Sequence, residues 1–159
     1  MQPLPTAGPP SIAHQLADQL GLDVTAFVET FGAGWSEAEV MHDFDADPSG
    51  GWESPFGPWY VAGRPAQLML RVSHETIDLA VPHGEWYGVA TLILRPRRVV
   101  SLTRPAGGAA CQAVIEDLLA ERRSRLFFCR YCRGLTPPEY GHDSDVCMGC
   151  ASQWQGVVY

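Results

Sequence analysis

The feature that most constrains this chain is a pair of short cysteine motifs near its end. Cys129-Arg-Tyr-Cys132 and Cys147-Met-Gly-Cys150 are separated by fourteen residues. Each motif can set two thiolates on one tight turn, and two such turns facing one another complete a tetrahedron around an ion. Paired motifs of this kind usually stand about fifteen to twenty residues apart, so this gap is one that a loop absorbs. The spacing predicts that Cys129, Cys132, Cys147 and Cys150 hold one structural Zn2+ ion. With every corner taken by sulfur no position is left for water, so such a site shapes the chain and does not hydrolyse. A redox pair of the thioredoxin kind uses a single motif beside a βαβ unit, and disulfides need an oxidising compartment. An iron–sulfur centre is the remaining, less favoured use of four thiolates.

The neighbours of the cysteines fit this reading. Gly134 and Gly149 suit turns in which backbone comes close to sulfur or takes positive φ. Pro137, Pro138, Gly141 and the run His142-Asp143-Ser144-Asp145 read as loop, with His142 a solvated residue and not a ligand. Ala151 to Gln155 is expected to form a short helix stopped by Gly156, and Val157 to Tyr159 a terminal strand. A knuckle, a loop and a second knuckle opening a helix resembles the treble-clef group of zinc domains. If the segment after Cys150 is extended, it resembles a plain zinc ribbon instead. The resemblance covers only about residues 127–159; it implies a metal site and carries no activity with it.

Ahead of this module the pattern is that of an α+β domain. Ser11 is placed to cap a helix bearing Ile12, Leu16 and Leu20, with Gly21 as its stop. Asp23 caps a second helix with Val24, Phe27, Val28 and Phe31 on one face, closed by Gly32. Ser36 and Glu39 form a capping box, with Trp35 and Val40 as its staple, and predict a third helix. The segment from Asp47 to Tyr60 is too rich in Gly and Pro for regular structure, and its aromatics read chiefly as pins onto the core. The period then changes to two. Leu68, Leu70 and Val72 form one strand and Ile77, Leu79 and Val81 the next, with a break at Ser73-His74. Pro82-His83-Gly84 is expected to turn the chain into a strand from Trp86 to Leu94, Pro96 to interrupt it, and Val99 to Leu102 to offer another. An antiparallel meander of four to five strands results, since a parallel sheet needs crossovers for which there is no room. Cys111, Val114, Ile115, Leu118 and Leu119 then mark one long amphipathic helix, expected to run through Leu126-Phe127-Phe128 into Cys129. Cys111 reads as a buried small side chain. The organisation expected is a flexible tail at 1–10, a core domain at 11–126 and the metal module at 127–159 packed upon it.

Charge narrows the function. Residues 1–63 hold nine acids and no Lys or Arg, whereas residues 64–159 hold all eleven bases, every one Arg, and nine acids. An acidic front half argues against general nucleic-acid binding, which depends on basic side chains at phosphates, and suits a basic protein partner. Asp43, Asp45 and Asp47 with Trp52, Phe56 and Trp59 are the candidate partner surface. The acidic run His42 to Asp47 fails as a calcium loop, because Pro48 and Ser54 stand where Gly and Glu are needed. Arg122, Arg123 and Arg130 are the contacts that a nucleic-acid-binding alternative would use, although local pairing with Glu116, Asp117, Glu121 and Glu139 is favoured. No phosphate loop, zinc-protease motif or nucleophile elbow is present, so an enzyme would need a site assembled only in the fold. The opening residues have neither the basic end nor the apolar core of an export signal, no run is long enough to span a membrane, and a cytoplasmic location is expected. A small acidic chain without catalytic motifs is similar in size and charge, though in no motif, to bacterial immunity and antitoxin proteins that cover basic toxins.

Overall fold

The stretches of period two form one antiparallel sheet, and the stretches of helical period pack on one of its faces. The computed structural model describes residues 10–38 and 57–159. Strands β1 (Trp35–Glu37), β2 (Tyr60–Ala62), β3 (Leu68–Val72), β4 (Thr76–Tyr87) and β5 (Thr91–Thr103) lie side by side in chain order, each antiparallel to its neighbour. Helix α1 (Ile12–Leu20) starts at Ser11, whose hydroxyl accepts from the His14 N–H, and ends at Gly21 with φ 68°. Helix α2 (Val24–Phe31) starts at Asp23, whose carboxylate accepts from the N–H groups of Thr25 and Ala26. Both caps are those expected from sequence. With α3 (Gly108–Ser124) these helices cover the sheet. Leu16, Phe27, Phe31 and Trp35 meet Leu70, Ile77 and Leu79 from the strands and Cys111, Ile115 and Leu118 from α3 in one cluster. Cys111 is thus a core side chain, and burial pushes its thiol above the usual range.

The other face is covered too, over β3 and β4. Trp59 and Ala38 bury Met69 and Ala80, and the Arg71 guanidinium lies 4.6 Å over the Trp59 ring. Arg71 also bonds Asp78 at 2.7 Å. Burial opposes ionisation of Asp78, but hydrogen bonds from Ser101 and Arg71, with the guanidinium charge, hold its carboxyl below the usual range.

Four expectations are corrected. Ser36 does not open a helix: Trp35–Glu37 is strand β1, paired residue for residue with β2. A cap contributes about 1 kcal/mol, less than burying the Trp35 indole, which meets Phe27 edge-on at 6.3 Å. Glu39 and Val40 lie outside the described residues. Pro82-His83-Gly84 makes no turn; β4 runs through it and β5 runs through Pro96, with the chain reversing at residues 88–90. Pro82 and Pro96 face each other across the ladder. Neither has an N–H to exchange, so the pair occupies a rung without hydrogen bonds, and β3 pairs with β4 only as far as Ala80. Helix α3 stops at Ser124, and Phe127–Phe128 is strand β6 rather than its last turn. The last residues, 156–159, form no strand.

The sheet also carries a bulge that α3 uses. Between Leu79 and Val81 on β4 the partner strand advances from Val100 to Arg97, one residue more. Arg98, at φ 50°, takes up that residue and turns its guanidinium to Asp117 and to Glu121 on α3.

After β6 come β7 (Leu135–Thr136), a 3-10 turn (Pro138–Tyr140), β8 (Gly141–Asp143), β9 (Val146–Cys147) and α4 (Met148–Gln155). Among the described residues, the buried hydrophobic cluster of this lobe is Cys129, Val146, Cys150 and Ala151, and the lobe is bolted to the sheet domain by charge. Arg122 on α3 and Glu139 on the 3-10 turn form a two-pronged pair at 2.6 and 3.2 Å, their side chains 2% and 3% exposed. Arg122 donates as well to the Ala66 carbonyl, and the Trp86 indole N–H donates to the Glu139 carbonyl at 2.7 Å. Gly84 makes room for this joint: a Cβ there would stand 2.5 Å from Glu139 Cγ and 2.7 Å from its Cβ. Glu139→Ala is expected to destabilise the protein by about 3–5 kcal/mol, because it strands a buried guanidinium. Urea unfolding should find the double replacement Arg122→Met with Glu139→Leu less costly than either single change, and Gly84→Ala costly in the same way as Glu139→Ala.

Candidate metal centre

Each pair of cysteines is presented by a different local device. Cys129 and Cys132 sit in the loop of the β6–β7 hairpin, closed by the Cys129 N–H on the Gly134 carbonyl (3.0 Å) and the Arg133 N–H on the Cys129 carbonyl (2.8 Å). The left-handed position of this loop is taken by Arg133, at φ 61°, and not by glycine. Gly134 serves close approach instead: its N–H donates to Cys132 Sγ at 3.4 Å, and a Cβ on it would lie 3.3 Å from that sulfur. Cys147 ends β9 and is the N-cap of α4, its sulfur accepting from the Cys150 N–H at 3.5 Å. Cys150 lies in the first turn of that helix, which Gly156 ends in the left-handed conformation as expected. The segment after Cys150 is therefore helical. Gly149 does no special service, since a Cβ there meets nothing within 4 Å.

The two devices are brought face to face. The Arg130 N–H donates to the Asp145 carbonyl at 2.8 Å, and the Cys147 N–H to Cys129 Sγ at 3.4 Å. The four sulfurs all lie within 4.8 Å of one another, with Cys132 and Cys147 at 3.9 Å. A tetrahedron with metal–sulfur bonds of about 2.3 Å has edges of about 3.8 Å, so the spacing fits one ion at the centre. All four are free thiols, and 3.9 Å is far beyond the roughly 2.05 Å of a disulfide. Backbone N–H groups aimed at sulfur mark where negative charge is to be held. The Cys147 N–H is the main reason that the Cys129 thiol is brought down to about 6; burial opposes this, and the N–H groups of Cys132 and Tyr131 assist. Cys150 is pushed up to about 12 by burial and by its hydrogen bonds to the other cysteines. A cation entering the site must therefore displace protons, and its affinity rises with pH.

The remaining candidates are placed less uniformly. Trp59 is 8% exposed beneath Arg71, which makes it a pin on the core and removes it as a partner contact. Asp43, Asp45, Asp47, Trp52 and Phe56 lie outside the described residues. Arg122 is buried in its pair with Glu139 and is no surface contact for a phosphate, a correction to that alternative. Arg123 bonds the Gln67 side chain, and Arg130 lies beside Asp145 at 3.8 Å. His142 bonds the Tyr159 hydroxyl at 2.7 Å and is not among the clustered ligands. No helix among the described residues is long and apolar enough to cross a membrane.

Two residues that matter to the centre were not singled out from sequence. In the sequence Glu139, which fixes the lobe, reads only as one possible ion-pair partner, and Gly84 only as part of a turn. Position 122 did carry a signal: it continues the buried stripe Cys111, Ile115, Leu118 on α3, and a charged residue on such a stripe calls for a buried partner. Comparison with protein families, with curated proteins and with solved structures returns no match for this chain.

The two glycines make opposite predictions. Gly149→Ala, in an open helical position, is expected to raise stability by about 0.5–1 kcal/mol. Gly134→Ala is expected to weaken retention of the ion by crowding Cys132. Thermal unfolding and competition with a chromogenic chelator check both.

Proposed function

We propose that this chain is a zinc-stabilised, non-catalytic binding protein whose partner is a basic protein. The observation that carries the metal assignment is the cage of four mutually close sulfurs. An all-thiolate tetrahedron is the donor set of structural zinc, and it leaves no corner for a reacting water. Helix α4, beginning at Cys147 and containing Cys150, supports the treble-clef resemblance over the plain ribbon. Reduced thiols on a metal accord with a cytoplasmic protein.

The binding role rests on charge and surface. The net charge of −7 favours a basic protein over a nucleic acid, and the burial of Arg122 takes away one of the three arginines that the nucleic-acid reading needs. Large apolar side chains left in water, among them Phe128, Tyr131, Leu135 and Trp154, gather on the metal lobe, as they do at surfaces that meet a partner. An inhibitor of the immunity or antitoxin kind, covering a basic toxin domain, is the class that such a chain suits.

Elemental analysis of protein purified under reducing conditions without chelator should find one zinc per chain. Cys132→Ser should lose it and melt α4, since zinc binding contributes about 10–16 kcal/mol to small modules of this type. A protein that holds its full helical signal and melting temperature without metal would overturn the assignment. The partner should be basic, and its binding should weaken when Asp43, Asp45 and Asp47 are changed to Asn.

A further inference from the structure

One part of the metal lobe combines exposed rings with exposed carboxylates. Tyr131, in the first cysteine loop, stacks on Trp154 of α4 with centroids 6.4 Å apart and planes 20° from parallel. Trp154 nevertheless keeps 64% of its surface in water, and Phe128, near the same loop, keeps 67%. Beside them the β8–β9 turn carries Asp143 and Asp145, both exposed. The chain already places one cation in this setting. The Arg130 guanidinium lies 5.0 Å from the Tyr131 centroid, donates to its hydroxyl at 3.2 Å and stands 3.8 Å from Asp145.

We infer that Tyr131, Trp154, Asp143 and Asp145 form a docking surface for an arginine-bearing segment of a partner protein. The inference rests on the reading above that the partner is a basic protein. Two facts favour guanidinium over other occupants. A planar, weakly hydrated guanidinium stacks on aromatic faces while its edge bonds carboxylate, which an ammonium does less well. The local charge has the matching sign. Residues 126–159 carry Arg130 and Arg133 against the exposed Asp143 and Asp145, Glu139 being answered by Arg122, so the balance is set by the four thiolates, which would outweigh one divalent ion. A nucleic-acid backbone would therefore be repelled where the rings invite stacking.

The test uses the full zinc-loaded chain and short fluorescein-labelled peptides read by polarisation: alternating arginine–glycine, the lysine and glutamate versions, and an oligothymidylate strand. The arginine peptide should bind best. Trp154→Ala and Tyr131→Ala should each weaken it by about tenfold, Trp154→Phe should restore part of the loss, and zinc content and melting temperature should stay unchanged. Arginine-peptide binding that survives both ring variants but disappears on Asp43, Asp45 and Asp47→Asn overturns this surface and leaves the basic-partner reading standing. Failure of every basic peptide to bind the intact chain overturns the surface, and an acidic partner recovered in complex overturns the parent reading as well. Preferred binding of oligothymidylate, or sedimentation as a dimer that Trp154→Ala dissociates, would assign the rings to a nucleic acid or to a second copy.

Discussion

Charge taken out of water must be answered locally, and the last quarter of this protein is organised by that requirement. Its interior is too small to hold it together: among the described residues, Val146 and Ala151 are the only non-cysteine members of the buried cluster around Cys129 and Cys150. Two electrostatic devices stand in for a core. Four sulfurs within 4.8 Å of one another are mutually repulsive as thiolates and cohesive once a cation sits among them. Arg122 and Glu139, nearly inaccessible to solvent, are each expensive to bury alone and tolerable only as a pair. The sulfur cage gives the lobe its shape, and the ion pair gives it a fixed seat.

The seat depends on details far away in the chain. Glu139 reaches Arg122 only because Gly84 offers no Cβ. It is steadied there by the indole of Trp86, whose ring also meets Tyr140 edge-on at 5.4 Å. Gly84 and Trp86 both lie on the part of β4 that extends past β3, where the sheet has narrowed to the β4–β5 ribbon. That ribbon would otherwise be a two-stranded arm in solvent, a marginal structure in water. The metal lobe and the ribbon thus support one another, and α3 supplies the cation that joins them.

Much of this was legible in the residues. Helix caps at Ser11 and Asp23, alternation through Leu68 to Val81 and the cysteine spacing each report a local preference that the fold honours. The failures share a cause. Ser36, Pro82 and Pro96 are strong local signals overruled by partners distant in sequence: β2 for Ser36, and for each proline the other, across the ladder. The αL position in the first cysteine loop fell to Arg133 rather than to a glycine because Gly134 was needed for contact with sulfur. Glu139 was hidden for the opposite reason. A glutamate between Pro138 and Tyr140 looks like solvated loop, and only the depth of Arg122 on its helix shows that it cannot be.

Four sulfurs that can close on an ion, in place of a packed interior, have a consequence for the surface of the lobe. In an ordinary small domain the aromatic residues must be spent inside, since each buries roughly 150–250 Å². Here a cation gripped by the four sulfurs would do that work, and Tyr131 and Trp154 remain outside, stacked on one another and anchored by their positions within the two cysteine devices themselves. Tyr131 lies between Cys129 and Cys132, and Trp154 lies on the helix that Cys147 caps. Their relative placement is therefore set by the same four bonds that would hold the ion. Rings fixed in this way lose little conformational freedom on meeting a partner, which is the condition under which exposed aromatics contribute most to affinity.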